Sequence, residues 1–225
     1  MSPHERCSIV LYLRRENDNK EEFHMKTGFK ARQTTLYGLL TAILLVMSYT
    51  PLGYLNLGPL AITFNMIPVA VAAAALGPRG GAFAGAVFGM TSFLQCLGIG
   101  GTSQMGVLLF EISPVLTFLQ RFVPRVLTGF LVGVVFRRMQ SLPCRKWAAP
   151  VAGFLAAFLN TALFMGALVL LFGRTEYVQD LMAGRNVIVF ICAFVGIQAL
   201  VEILVSTVLT AALLRGLSRA KLLER

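Results

Sequence analysis

Residues Leu76 to Gln95 read LGPRGGAFAGAVFGMTSFLQ, and Gly77, Gly81, Gly85 and Gly89 recur at every fourth position. Four residues is close to one helical turn, so the four glycines share a face. In water such a face weakens a helix, because folding must remove the backbone freedom that glycine keeps. In a bilayer it is useful, since a neighbouring backbone can approach it closely. The stretch therefore predicts a membrane helix packed tightly on its partners. Its start, Gly77-Pro78-Arg79-Gly80-Gly81, predicts a sharp turn: glycine accepts positive φ, while Pro78 fixes its own φ and lacks a donor. Two apolar helices are expected to meet there in a short hairpin tipped by one charge.

The whole chain agrees with that reading. Its 225 residues are 56% hydrophobic and only 13% charged, with a mean hydropathy of +0.74, where a soluble domain carries about 25% charged residues. The fold class implied is an all-α integral membrane protein. The net charge of +10 does not mark a nucleic-acid partner, because the basic residues fall between apolar runs and not on an aromatic-studded patch. Cys7, Cys96, Cys144 and Cys192 are isolated, and of the two histidines only His4 lies near one of them. Neither a zinc site nor a disulfide framework is indicated, and no metal or cofactor is expected. His4 and His24 are both in the tail, and HExxH, a partnered GxSxG and a Walker A sequence are all missing. Hydrolase chemistry and ATP use by this chain are therefore not expected.

Residues 1–33 hold five of the ten acidic and seven of the twenty basic residues, and their apolar run from Ile9 to Leu13 is too short to span. This tail is expected to be disordered or absent. Lys20-Glu21-Glu22 can be encoded by a purine-rich run resembling a ribosome-binding site, which makes Met25 the candidate start. A membrane domain over 34–214 follows, then a basic tail over 215–225. Within the domain six apolar segments, Thr34 to Pro51, Leu60 to Leu76, Gly80 to Leu97, Pro114 to Phe136, Ala148 to Phe172 and Asn186 to Leu214, each approach the roughly 20 residues that a spanning helix needs. Sixteen of the twenty Lys and Arg lie in the tails, the Arg79 hairpin and the linker from Arg137 to Lys146, whereas the opposite loops hold only Arg174 and Arg185. Both termini are therefore expected in the cytoplasm. The outer loops, Leu52 to Pro59, Gly98 to Ser113 and Gly173 to Arg185, are longer and richer in Gly, Pro and polar residues. They are expected to cap a site, with the second folding back as a lid.

Polar groups within spans point to that site, because leaving one in lipid costs several kcal/mol. Arg125 in the fourth segment, Glu202 in the sixth, Asn160 in the fifth and Asn65 in the second stand out; Gln95, Gln104, Glu111, Arg121 and Tyr54 lie near the outer ends. An arginine remains charged when buried and its planar fork suits a carboxylate, so Arg125 predicts an anionic small ligand, with Asn160, Asn65, Gln95 and Tyr54 as further contacts. Pro124 removes one backbone hydrogen bond beside Arg125. A structural Arg125–Glu202 ion pair and interhelical amide bonds are the bland alternatives. Glu202 is placed towards the cytoplasmic half, as a structural residue. Small residues recur as Gly38 with Ala42, Gly129 with Gly133, and Gly153 with Ala157 and Thr161. Most are expected to be internal packing, with at least one face turned to another membrane protein.

The run YLNLGPLAITFNMIPVAVAAAALGPRGGAFAGAVFGMTSFLQ, then FVPRVLTGFLVGVVF, then FLNTALF, resembles the membrane-embedded substrate-binding (S) components of energy-coupling factor (ECF) vitamin transporters, closest to the pantothenate-type group. Asn65 departs from the histidine often found at that place in such proteins. The resemblance implies a six-helix bundle that binds a vitamin or precursor, most simply pantothenate, beneath its outer loops in the bacterial plasma membrane. It also implies assembly with an EcfT-type transmembrane coupling subunit and two ATPase subunits, with Gly38 and Ala42 matching the face turned to EcfT. A self-sufficient secondary transporter would show repeated halves with broken helices, and no repeat is visible. A non-enzymatic membrane assembly factor would need no enclosed polar cluster.

Overall fold

Gly77 decides the path of the chain. In the computed structural model, which describes residues 31, 33–50, 53–56, 61–100, 104–182 and 187–219, it has φ 77° and ψ −167°, a left-handed conformation that favours glycine. The long helix α2 (Met66–Cys96) breaks there into arms at 66–76 and 78–96. The arms fold against one another: a methyl group placed on Gly81 would stand 2.8 Å from the Ala73 Cβ, although eight residues of unbroken helix would separate the two by about 12 Å. Arg79 is exposed beside the bend, as the sequence predicts.

The other elements precede and follow α2 in the chain. An apolar helix α1 (Gln33–Tyr49) precedes it, followed by the antiparallel hairpin of β1 (Tyr54–Asn56) and β2 (Ala61–Thr63), in which Tyr54 pairs with Thr63 and Asn56 with Ala61. After α2 come α3 (Gln104–Ile112), α4 (Pro114–Gln140), a 3₁₀ turn (Arg145–Trp147), α5 (Ala148–Phe172), the short α6 (Glu176–Met182) and α7 (Val187–Arg219). Contacts divide the chain into residues 1–39 and 40–225; everything after the first turns of α1 belongs to the second unit.

The glycine ladder meets α4. A Cβ on Gly81 would strike the Gly129 carbonyl and one on Gly129 the Gly81 carbonyl; a Cβ on Gly85 would meet the Arg125 carbonyl, and one on Gly89 would stand 3.0 Å from the Phe122 Cα. The partners run backwards in number as the glycines advance, so the second arm of α2 and α4 are antiparallel, backbone against backbone. Gly133 closes the series at the bend, where its Cβ would lie 2.6 Å from the Pro78 Cα. On α5, Gly153 gives α7 the same room, and the Ser206 hydroxyl donates to the Gly153 carbonyl at 3.1 Å.

Among the described residues four helices are long and apolar enough to cross a bilayer, Met66–Cys96, Pro114–Gln140, Arg145–Phe172 and Ala199–Arg219, with α1 a shorter apolar helix. Large apolar side chains cover the outside: Leu170 is 83% exposed, Val115 69% and Leu204 66%, an arrangement that suits lipid and not water. The protein is thus a helical integral membrane protein.

Three expectations need correction. The segment from Leu60 to Leu76 is not one long helix: residues 61–63 pair as a strand, and only 66–76 are helical. The segment from Gly98 to Ser113 is a loop only at its start, because residues 104–112 form α3. There Met105 and Leu109 sink into a cluster with Met165, Leu168 and Phe172 of α5 and Val178 of α6. The helical pattern of these apolar residues outweighs the glycines before them. Finally, α7 continues past Leu214 to Arg219, into the expected tail. The expectations for residues 1–30, Met25 included, lie outside the described residues.

Candidate functional site

The buried face of α4 carries Thr117, Gln120, Arg121, Pro124, Arg125 and Thr128, an unusual run of polar groups for a helix in lipid. Arg125, 4% exposed, donates from Nη1 to the Arg121 carbonyl at 2.6 Å. Its guanidinium carbon lies 4.5 Å from the centre of the Phe88 ring and 5.2 Å from that of Phe164. Arg121 stands 5.2 Å from the same Phe164 ring, with its Nη1 3.5 Å from the Ser92 Oγ. Two arginines thus hold one aromatic ring between α4 and α5, and aromatic faces stabilise such cations away from water.

Glu202 of α7 faces this group. Its carboxylate lies beside the Asn160 side chain of α5 and the Thr63 backbone of β2, within the electrostatic reach of Arg125. One carboxylate therefore stands where three elements meet. Asn65, just after β2, has its backbone N–H bonded to the Thr63 Oγ1 at 3.3 Å, and its side chain is fully buried. Gly53 opens the hairpin beside it, where a Cβ would stand 3.1 Å from the Asn65 Oδ1.

The expected site residues separate into groups. Arg125, Asn160 and Asn65 are gathered around Glu202 and Thr63. Gln95 is buried on α2, but its Nε2 donates to the Ser48 carbonyl at 2.6 Å, while the Ser48 Oγ and Thr91 Oγ1 share a 3.1 Å hydrogen bond. That amide fastens α1 to α2. Tyr54 lies in β1, and its side chain is outside the described residues. Gly38 and Ala42 are exposed on α1, and a Cβ on Gly38 would meet nothing within 4 Å.

Glu202, expected as a structural residue and as a possible partner of Arg125, lies within the polar cluster. Phe88, Phe164, Thr63 and Gln120 were not legible as site residues. The first three act through ring faces or backbone, which no motif marks, whereas Gln120 carried a signal in its place four residues before Pro124.

Several buried polar atoms have no hydrogen-bond partner among the described residues: both amide atoms of Asn65 and of Gln120, the Asn160 Oδ1 and the Glu202 Oε1. Leaving such groups unsatisfied costs about 1 to 3 kcal/mol each, and a bound polar molecule removes that cost. Among the described residues no group of three His, Cys, Asp or Glu side chains could hold a metal ion. The chemistry on offer is recognition: cations on rings, a carboxylate, and amides that both donate and accept.

A helical membrane protein with one enclosed polar cluster is the form of a solute-binding transport component. Residues 32–214 match the family of ECF transporter substrate-specific components, and the chain belongs to that family. It is a substrate-specific transport component, not an enzyme, and it works with the other parts of an ECF transporter. Among its relatives is the pantothenic acid transporter PanT of Lactococcus lactis subsp. cremoris (strain MG1363), 26% identical over 203 residues, covering 85% of this chain and 96% of that protein. The pantothenate transporter PanT of Leuconostoc mesenteroides subsp. mesenteroides is 28% identical over 194 residues, covering 82% of this chain and 91% of its own.

Proposed function

We propose that this chain captures pantothenate at the outer face of the bacterial plasma membrane for an ATP-driven importer. An EcfT-type coupling subunit and two ATPase subunits supply the energy. The observation that carries the reading is the chemistry of the interior: the planar guanidinium of Arg125, 4% exposed, suits a carboxylate, and the buried amides of Asn160 and Asn65 belong to the same cluster. Pantothenate has one carboxylate, together with an amide and two hydroxyls that suit Asn160 and Asn65. Another vitamin carboxylate of similar size is the second reading, and the buried amides are compatible with it.

Six membrane segments with both termini cytoplasmic complete the proposal: α1, the two arms of α2, α4, α5 and α7, of which the 66–76 arm, about 16 Å long, reaches only part-way across. Arg79, Arg137, Arg138, Arg145, Lys146, Arg215 and Arg219 are all exposed and fall at the end bearing the α2 bend and the α4–α5 linker. Glu111, Glu176 and Asp180 fall at the other. Positive residues mark the cytoplasmic side, which turns the hairpin, α3 and α6 outwards over the polar cluster. On this reading Gly38 and Ala42 meet EcfT.

The test is calorimetric titration of the purified protein with pantothenate and with pantothenol, in which an alcohol replaces the carboxylate. Tight binding of the first and much weaker binding of the second is expected. Equal affinity for both refutes the charge argument. Reconstitution then checks coupling: uptake into vesicles should require the ATPase module, and uptake by this chain alone would make it a secondary transporter.

A further inference from the structure

Gln120 is the most thoroughly buried polar side chain on α4 with nothing to bond. It is 0% exposed, and neither its Oε1 nor its Nε2 has a partner among the described residues. Its backbone is also unusual: the donor that a helix would offer the Gln120 carbonyl belongs to residue 124, which is Pro124 and has no N–H. One residue thus brings two unpartnered side-chain atoms, and a carbonyl without its usual helical donor, to the same buried place. The other buried glutamine, Gln95, behaves as a structural amide should, with its Nε2 on the Ser48 carbonyl at 2.6 Å. A core that only needed packing would be better served at 120 by leucine.

We infer that Gln120 is a ligand-reading residue, whose amide pairs with the neutral, amide-and-hydroxyl half of the substrate while Arg125 takes its carboxylate. This rests on the pantothenate reading above. The two residues are five apart on α4, or about 7.5 Å along the axis. In pantothenate a two-carbon spacer separates carboxylate from amide, and the long arginine side chain makes up the difference. A primary amide both donates and accepts, which matches the N–H and C=O of a secondary amide. The inference makes Gln120 a specificity residue: it rejects carboxylates of equal charge that lack hydrogen-bonding groups at that distance, because binding them would leave the glutamine unsatisfied.

The test compares Gln120→Leu with wild type and Arg125→Gln, using pantothenate and pantothenol as probes and reading both affinity and the melting curve. Gln120→Leu should weaken both probes by the same factor, roughly tenfold to a hundredfold. Arg125→Gln should weaken pantothenate selectively. The ligand-free Gln120→Leu protein should melt no lower than wild type, since it loses an unsatisfied polar group; a structural glutamine would lower the melting temperature and leave affinity unchanged. Should leucine not fold, Gln120→Met keeps the length without the amide and has the same expected outcome. Wild type that binds pantothenate while both Gln120 variants bind it equally well overturns this inference alone. Wild type that binds no pantothenate overturns the substrate reading and this inference with it.

Discussion

Replacing Arg125 by glutamine removes one charge from the interior and leaves the helix otherwise intact. Two effects follow, and they separate. In the ligand-free protein the change removes the 2.6 Å bond to the Arg121 carbonyl and the stacking on Phe88 at 4.5 Å, each worth about 1 kcal/mol. Relief of the desolvation of a buried cation offsets part of that, so the folded state should lose about 1 to 2 kcal/mol. Glu202 keeps its polar neighbours Asn160 and Thr63, which limits the damage further. In the complex the loss is larger, because a carboxylate removed from water loses the cation that offset its burial. Truncating one partner of such a pair costs about 2 to 5 kcal/mol, a fall in affinity of roughly thirtyfold to several thousandfold. Calorimetric titration with pantothenate measures the second effect and the melting curve the first. The double variant Arg125→Gln with Glu202→Gln should recover stability without recovering affinity. A folded Arg125→Gln protein that binds pantothenate within twofold of wild type would refute the assignment and leave a neutral vitamin as the better substrate.

The remaining predictions concern packing and placement. Gly85→Ala puts a methyl group against the Arg125 carbonyl, 2.8 Å from its carbon, and should cost about 1 to 3 kcal/mol through overpacking. Gly166→Ala meets nothing within 4 Å and should not lower the melting temperature, so equal curves for the two would contradict the close approach of α2 and α4. Gly38→Leu and Ala42→Trp should leave pantothenate binding intact and abolish uptake by the assembled transporter; normal uptake by either would show that this face meets lipid. Cys144 is an exposed, unpaired thiol in the α4–α5 linker. A membrane-impermeant maleimide should label it in inside-out vesicles and not in intact cells, and the reverse pattern would invert the proposed topology.

The sequence alone was enough for the membrane class, the bend and the polar candidates, because each rests on local chemistry. Composition bounds the solvent that a chain can tolerate, a glycine every fourth residue marks a face for close approach, and Gly77 before Pro78 marks a place where helix cannot continue. Arg125, Asn160 and Asn65 stood out because polar groups are rare in apolar segments. Tertiary structure alone decided what those groups do. Gln95 and Gln120 are the same residue type in comparable apolar surroundings, yet one is bonded across to α1 and the other meets nothing. The neighbours of Glu202 were not legible for the same reason, since Thr63 and Asn160 lie 139 and 42 positions away in the chain. Hydrogen bonds and ring contacts act over a few ångströms in space. Which residues come within that reach depends on how the α2 bend, the hairpin and the antiparallel helices bring distant segments together, and no local pattern in the chain encodes that pairing.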